Sequence, residues 1–297
     1  MTRSPFHAGE LEAQARAGVQ AAGGAIRDFM PEQHRAFFGL LPYLPVATTD
    51  RDGWPMATIL TGQPGFITSP DPGSLRIATV PDAADPVVAH LVPGAPVGVL
   101  GIDLGTRRRN RANGVIASTG ADGILMSVHQ SFGNCPQYIH VRDVLPAEVS
   151  PGVPELVEGL DAQARTRIGL ADTFFVATGS GSVAGSAGGV DISHRGGPAG
   201  FIHVEGDTLT IPDYRGNRYF NTLGNLMLDP RAALLFVDFG SGDLLHVQGE
   251  VEILWESGGT QSFEGAERLW RLRVARAWRR RSELPLRWVR RAGDAGG

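Results

Sequence analysis

Gly200-Phe201-Ile202, in the second half of the chain, repeats Gly65-Phe66-Ile67 of the first half. The same offset of 135 positions relates Asp103-Leu104-Gly105 to Asp238-Phe239-Gly240 and Gly114 to Gly249. An offset that stays constant over three separated blocks indicates a duplicated domain. Two copies of one fold that pack as an internal pseudo-dimer can form ligand sites where they meet. Function is therefore expected where the two copies differ.

Length and composition favour two small, mainly β domains. The 297 residues correspond to about two domains of roughly 150 residues. The 40 Gly and 20 Pro predict tight turns between short strands. Each copy reads as a helix followed by antiparallel strands that one short helix interrupts. The pattern predicts helices over 10–22 and 154–168 and a strand over 137–143. This order predicts two tandem split antiparallel β-barrel halves from an internal duplication, with short helices; a pair of β-sandwiches is the alternative. The predicted division is an N-terminal helical extension (1–30), copy one (31–143), a linker (144–153) and copy two (154–297).

Several classes of function are not expected from the composition. A net charge of −4 does not suggest nucleic-acid binding. The single Cys135 rules out an intrachain disulfide and a multi-cysteine metal site, and the eight His lack metal-ligand spacing, so no metal is expected. The chain has no long apolar run and no signal-like start, which predicts a soluble cytoplasmic protein without a membrane span. It also contains no Lys, so every basic side chain other than His is Arg.

The loop that differs between the copies has the features of an anion site. In copy two, a helix is predicted to open within the segment 212–222, and a helix N-terminus attracts anions. Gly216 allows close backbone approach. The side chains that can donate to a phosphate are Arg215, Asn217, Arg218, Asn221 and Thr222. Copy one has two Asp and no Arg at the corresponding place, 81–86, which predicts one phosphate site per chain. The alternative is an ordinary polar helix start with solvated Arg side chains.

Two further segments are candidates for the same site. In Asp191-Ile192-Ser193-His194-Arg195-Gly196-Gly197-Pro198, the side chains of Ser193 and Arg195 and the amide of Gly196 can face a planar ring. An exposed strand end is the alternative. No nucleophilic triad is complete, because the neighbours Ser193 and His194 point to opposite faces of a strand. The segment 179–189 consists almost entirely of small residues and reads either as a hairpin tip or as a mobile flap over a ligand.

An arginine cluster in copy one is the candidate for a second anion. Thr106-Arg107-Arg108-Arg109-Asn110-Arg111 joins two predicted strands and reads either as a solvated turn or as a group that a pseudo-dimer points at the ligand of copy two. Arg109 and Arg111 share one strand face, so these two are the predicted contacts to an anionic substrate or second phosphate.

The blocks 191–201 and 213–225, with Ser4-Pro5-Phe6-His7-Ala8-Gly9-Glu10 and Phe132-Gly133-Asn134-Cys135-Pro136-Gln137-Tyr138-Ile139, resemble the pyridoxamine 5′-phosphate oxidase-related proteins with the FMN-binding split barrel. The resemblance implies a flavin, usually FMN, at a barrel–barrel seam. Mapped residue by residue, it implies cofactor contacts from Ser193, His194, Arg195, Gly196, Gly197, Asn217, Arg218, Asn221 and Thr222. Arg215 joins these candidates from the anion-site pattern alone. The family's phosphate Lys is absent, and its Arg-His substrate signature is not evident at Arg287-Trp288-Val289-Arg290. An oxidoreductase other than the vitamin B6 oxidase is therefore expected.

The implied function is an FMN-dependent oxidoreductase acting on a small organic substrate. Arg195 is the candidate catalytic residue, because a cation beside the flavin stabilises negative charge on the reduced ring. Electrons would come from a reduced nicotinamide or a separate reductase. A non-catalytic flavin- or haem-binding storage or sensor protein and an F420-dependent reductase stay open, as do FAD, F420 and haem as cofactors. The chain is expected to be a monomer as a pseudo-dimer, or a homodimer.

Overall fold

Two antiparallel sheets of the same design make up most of this computed structural model, which describes residues 4–79, 82–150, 152–181, 188–256, 260 and 263–291. The first half contains α1 (Ala8–Arg16), α2 (Glu32–Phe38), β1 (Tyr43–Thr49), β2 (Pro55–Thr61), β3 (Ile67–Thr68), β4 (Ser74–Ile77), a 3-10 turn (Val88–His90), β5 (Pro96–Asp103), β6 (Arg108–Gly120) and β7 (Gly123–Gly133). The second half contains β8 (Arg142–Pro146), β9 (Glu155–Val157), α3 (Ala162–Leu170), β10 (Thr173–Gly179), β11 (Val190–Gly196), β12 (His203–Glu205), β13 (Thr208–Tyr214), α4 (Asn221–Leu228), β14 (Arg231–Val237), β15 (Leu244–Leu254), β16 (Ala266–Arg280) and β17 (Leu286–Arg290).

The strand order repeats between the halves. The first sheet runs β2-β1-β5-β6-β7-β4-β3, and the second runs β11-β10-β14-β15-β16-β13-β12, with β9 beside β16. Strand β2 precedes β11 by the same 135 positions that relate the sequence blocks. The predicted fold class, mainly β with two tandem split antiparallel barrels and short helices, is confirmed. The exact domain boundaries stay a prediction, and β8 at the start of the predicted linker pairs with the last strand, β17.

Apolar cores lie within each barrel and at the seam between them. One core lies within the first barrel and one within the second. The third draws Tyr43 and Leu100 from the first barrel and Phe175 and Leu235 from the second, all almost completely buried. Burial of such side chains stabilises a fold by about 1.5–3 kcal/mol each, so the seam is a core in its own right. A site built across this seam is therefore held by rigid elements on both sides.

Three predicted elements were misplaced. The helix predicted over 154–168 begins at Ala162, where Asp161 caps it by accepting from the Ala164 amide at 2.7 Å. The residues before it form β9, because they bond to the edge of β16. The helix predicted over 10–22 spans Ala8–Arg16, since His7 and Glu10 form its capping box. The strand predicted over 137–143 begins only at Arg142. Among the described residues, no helix is long and apolar enough to cross a membrane.

Gly114 and Gly249 recur for a steric reason. Each lies at a register shift of a long hairpin, between Asn113 and Gly114 in β6 and between Gln248 and Gly249 in β15. A Cβ on Gly249 would press against the carbonyl oxygen of Arg273 and lie 2.7 Å from Cδ2 of Leu272. Only glycine fits such a bulge without moving the partner strand.

We expect Gly249→Ala to lower the free energy of unfolding by about 1–3 kcal/mol, the usual cost of overpacking against backbone. The matched control is Gly120→Ala in β6, where an added Cβ meets no heavy atom within 4 Å. Urea unfolding of both variants measures the difference. Equal stability of the two variants would contradict the steric account.

Candidate functional site

An open cleft lies at the seam between the barrels. Its walls come from β6 of the first barrel and from β11, β13 and α4 of the second. The structure brings into this lining the predicted residues Arg109, Arg111, Ser193, His194, Arg195, Asn217, Arg218, Asn221 and Thr222. Three predicted residues lie outside it: Gly196 packs on the Tyr138 carbonyl, Gly197 packs on the Phe201 ring, and Arg215 is exposed. The amide of Gly197 is also already used, since it donates to the carbonyl of Asp172.

One end of the cleft is a buried cluster of donors drawn from both barrels. Arg111 of the first barrel donates to Ser193 Oγ at 2.6 Å and to Asn221 Oδ1 at 3.2 Å. Thr222 Oγ1 donates to Ser193 Oγ at 3.1 Å. A hydroxyl that accepts two hydrogen bonds still has its own proton to donate. Ser193, Arg111 and the first turn of α4 therefore face one point at which an acceptor-rich group can bind.

Arg111 is held in place by a buried ion pair. Its Nη1 lies 2.7 Å from Asp191 Oδ2, and the two side chains are 4% and 5% exposed. The guanidinium also lies 5.2 Å from the centre of the Phe132 ring. Burial lowers the pKa of Arg111, and the nearby Asp191 carboxylate opposes that shift. The side chain stays charged at neutral pH, because an arginine side chain is not deprotonated in proteins.

Arg109 carries a charge that no carboxylate balances. Its donors go to the carbonyls of Cys135 (2.6 Å) and Gln137 (3.4 Å) and to His194 Nδ1 (3.1 Å). In the described part of the chain, no carboxylate lies within 4 Å of it. Burial, together with the positive charges of Arg111 and Arg195, lowers its pKa to about 10. A cation in this situation attracts an anion into the cleft.

The contact with Arg109 fixes the state of His194. A guanidinium only donates, so His194 Nδ1 must accept, which places the ring proton on Nε2. Burial first, and then the charge of Arg109, hold the pKa of His194 well below its ordinary value, so the ring is neutral. Its Nε2 is buried and has no partner within the described chain.

Unpartnered donors gather around this cleft. In the described ranges, the buried nitrogens without a hydrogen-bond partner that belong to its lining are Arg111 Nε, Asn134 Nδ2, His194 Nε2, Arg195 Nε and Arg218 Nε. Buried polar groups are nearly always paired in folded proteins, so such a group of donors marks a place for an acceptor.

The cleft has two more positively charged side chains than carboxylates. Its five arginines are Arg109, Arg111, Arg195, Arg218 and Arg268. They face three carboxylates: Asp191 pairs with Arg111, Asp213 with Arg195 and Arg268, and Glu267 with Arg268 and Arg218. A phosphate monoester carries about −1.5 to −2 charges at pH 7, which matches this surplus.

The backbone at the start of α4 is strained. Arg218 and Phe220 both adopt the left-handed conformation, with φ of 62° and 63°. Phe220 is the N-cap residue, and its side chain makes no capping hydrogen bond. A helix start without a side-chain cap keeps its amides open to a ligand. Strain in non-glycine residues costs of order 1–3 kcal/mol and clusters at functional sites.

The counterpart of this cleft in the first barrel is closed. The positions equivalent to Ser193, Thr222 and Arg111 are Thr58, Val87 and His246. Val87 packs with Met56 and Trp278, and His246 stacks on Trp278 with ring centroids 4.7 Å apart. The two Asp residues that were expected to repel a phosphate bind Arg280 instead: Asp82 and Asp85 each accept from it at 2.8 Å. Side chains thus fill the place that the second barrel leaves open.

The sequence did not single out several residues of the cleft. They are Asn134, Cys135, Asp213, Tyr214, Phe220, Glu267 and Arg268. The blocks 132–139 and 213–225 contained all of them except Glu267 and Arg268, which β16 supplies. Most of the flap predicted over 179–189 lies outside the described residues. Among the described residues, no group of three or more His, Cys, Asp or Glu is arranged to hold a metal ion.

Comparison with known proteins finds a family model that is similar to the second barrel. Residues 160–284 match the family model described as pyridoxamine 5′-phosphate oxidase. Similar solved structures include HupZ of Group A Streptococcus, which is 16% identical over 39% of this chain and 90% of its own, with a TM-score of 0.32. A putative pyridoxamine 5′-phosphate oxidase of Corynebacterium glutamicum is 14% identical over 44% and 99%, with a TM-score of 0.31. An FAD-binding protein of Mesorhizobium loti is 12% identical over 44% and 99%, also with a TM-score of 0.31.

Likeness at this level of identity does not determine what a chain binds. No curated protein matches the chain. The match to the family model covers the barrel that supplies β11, β13 and α4 to the cleft. The resemblance predicted from the sequence is thereby confirmed over residues 160–284, which match the pyridoxamine 5′-phosphate oxidase family model.

Proposed function

We propose that the chain is a flavin-dependent oxidoreductase that holds one FMN in the cleft at the barrel seam. The observation that carries the proposal is the group of buried, unpartnered nitrogens around a cleft with two surplus positive charges. FMN offers a phosphate dianion at one end and a ring edge rich in acceptors at the other. FAD, F420 and haem are the alternative occupants.

The residues present fit the phosphate of such a cofactor. Ser193, Thr222 and Arg111 form the buried donor cluster, and the uncapped start of α4 adds backbone amides. Charge-assisted hydrogen bonds from a guanidinium to a phosphate are about twice as strong as neutral ones. Because the chain has no Lys, Arg111 takes the part that the family assigns to a phosphate lysine.

The other end of the cleft fits an electron-accepting ring. Bound flavin supplies the transfer of a hydride or of single electrons. Arg195 and Arg109 bring positive charge to this end, which stabilises negative charge that develops on a reduced ring. The neutral His194 offers an Nε2–H donor whose orientation Arg109 fixes. Asp213 holds Arg195 at 2.8 Å and so limits its motion.

The substrate is proposed to be a small organic molecule other than the B6 vitamers, with a reduced nicotinamide or a separate reductase as electron donor. The pseudo-dimer already provides both walls of the cleft, which favours a monomer that acts alone, in the cytoplasm. A non-catalytic storage or sensor role differs in one property only, the absence of turnover. Repeated bleaching by NADH and recovery in air would separate the two roles.

The test is a titration of the purified protein with FMN, followed by flavin fluorescence, with a mass spectrum of whatever heat releases. We expect saturation at one FMN per chain, because the counterpart in the first barrel is closed. The released mass distinguishes FMN from FAD, F420 and haem. A protein that takes up none of the four would overturn the redox proposal, and two equivalents per chain would contradict the closed counterpart.

A further inference from the structure

A continuous line of buried hydrogen bonds joins the N-terminal helix to the cleft. The carboxylate of Glu10 accepts from Asn221 Nδ2, and Asn221 Oδ1 accepts from Arg111 at 3.2 Å. Arg111 then donates to Ser193 at 2.6 Å. The four residues are between 3% and 9% exposed, so water does not reach this line. The loss of one member would leave the next with an unpaired buried group, which water cannot satisfy.

The N-terminal segment, residues 4–16, is packed on α4 without free space. A Cβ on Gly224 would lie 2.6 Å from the Cα of Glu10, so the two helices touch through backbone. His7 Nε2 lies 2.9 Å from Asn225 Oδ1. Glu10 also accepts from the His7 amide at 3.0 Å as part of the capping box of α1. The carboxylate that begins α1 is therefore the same one that orients Asn221.

The N-terminal segment also touches both barrels. The Phe6 ring lies 5.6 Å from that of Tyr219, next to the start of α4 in the second barrel. Gln130 of the first barrel donates to the carbonyl of Pro5 at 3.0 Å. The segment therefore bridges the seam beside the cleft, although it lies outside both barrels and outside the residues that match the family model.

We propose that the N-terminal segment is a component of the anion site, in which Glu10 is a positioning residue that acts through Asn221. Docking of the segment and binding of a phosphate group at the cleft then strengthen each other, because coupling between two binding events is reciprocal. This inference rests on the proposed function in one respect only, namely that the ligand is FMN. Inorganic phosphate probes the same cluster without the flavin ring.

The first test compares three variants by fluorescence titration with FMN. Glu10→Ala is expected to weaken FMN binding by about tenfold, the usual consequence of leaving a buried partner unpaired. Glu10→Gln keeps an oxygen that accepts from Asn221 but turns its NH2 group toward the His7 amide, so it should lose part of the cap of α1 and still bind FMN within about threefold of the natural chain. Gln14→Ala is the matched control: Gln14 is on the same helix and 3% exposed, but it bonds to Tyr219 and Ala21 instead. It should also bind within about threefold.

Two outcomes of the titration would overturn the role of Glu10. One is unchanged FMN affinity in Glu10→Ala. The other is an equal loss in Gln14→Ala, which would show that any loosening of α1 has the same effect. Thermal melting of each variant without ligand shows how much of a change is structural. If Glu10 is a positioning residue, Glu10→Ala loses more FMN affinity than Gln14→Ala does for the same fall in melting temperature.

The second test uses tryptic cleavage after the exposed Arg16 as a measure of docking. Saturating FMN or inorganic phosphate is expected to slow cleavage several-fold in the natural chain and much less in Glu10→Ala. If FMN does not bind but phosphate raises the melting temperature and slows cleavage, the proposed cofactor is wrong. The coupling between the N-terminal segment and the anion site is then still supported. If a ligand raises the melting temperature without slowing cleavage, the coupling is absent and this inference falls. If neither ligand binds, both proposals fall.

Discussion

The Arg111→Gln variant is expected to bind FMN about 100-fold more weakly than the natural chain and to unfold more easily. Glutamine cannot give two charge-assisted hydrogen bonds, and each bond to a charged group contributes about 1.5–3 kcal/mol. The substitution also leaves Asp191, 5% exposed at its side chain, without its cation. Removing one partner of a buried ion pair lowers the free energy of unfolding by about 3–5 kcal/mol. Flavin fluorescence measures the affinity, and urea unfolding without ligand measures the stability.

Two other arginines separate the effects of Arg111→Gln. Arg109 lines the same cleft but pairs with no carboxylate in the described part of the chain, so Arg109→Gln should weaken FMN binding without leaving a buried carboxylate unpaired; it loses only the bonds to Cys135, Gln137 and His194. Arg273 forms an exposed pair with Glu250, whose side chains are 78% and 56% exposed, so Arg273→Gln should change neither property measurably. If Arg111→Gln unfolds more easily but keeps its affinity for FMN, the assignment of the phosphate to this cluster is wrong.

The second large effect is a dependence of stability on pH that comes from Glu10. Burial is the main cause that raises the pKa of this carboxyl from 4.5 to about 7, with Asp191 adding to it and the bonds from His7 and Asn221 opposing it. Between these two values the native state keeps a proton that the unfolded chain has lost. The free energy of unfolding therefore falls by about 3 kcal/mol in total as the pH rises from 4.5 to about 7. Above that range, Glu10 causes no further change.

Glu10→Gln removes this titration, and the hydrogen bond from the His7 amide that it also loses changes the stability by a similar amount at every pH. Relative to the natural chain, the variant should gain about 3 kcal/mol of stability between pH 4.5 and pH 7.5. The lowered pKa values of His194 and His246 act in the opposite direction in both proteins and cancel in the difference, whereas His7, whose Nε2 lies 3.6 Å from the Glu10 carboxylate, is affected by the substitution as well. Urea unfolding of both proteins at four pH values gives this difference. A difference that does not vary with pH would show that Glu10 titrates normally.

The sequence predicts the fold well wherever the two copies repeat. The constant offset located matching strands, and Gly114 and Gly249 mark the same bulge in both hairpins. Prediction from the sequence fails where tertiary contacts decide the local structure. Residues 155–157 have no strand pattern of their own and become β9 only because the edge of β16 is free to pair with them. Likewise, α1 begins two residues before the predicted start at residue 10, because His7 and Glu10 cap it jointly.

The candidate site was predictable on one strand and one helix but not across the seam. The motif around Ser193 and the motif around Asn221 were predicted to share one ligand, and both line the same cleft. Whether Arg109 and Arg111 face that ligand depends on how the two barrels pack, which a single sequence does not show. The same holds for Glu10, which lies 211 positions from Asn221 and meets it only because two glycines let the helices touch.

The most direct test of the account is a diffraction structure of the protein crystallised with FMN. We expect one flavin per chain, with its phosphate within hydrogen-bond distance of Arg111, Ser193 and Thr222 and its ring against Arg195 and His194. Density for the phosphate anywhere else on the chain would contradict the assignment, and so would a second flavin beside Asp85 and Arg280 in the first barrel.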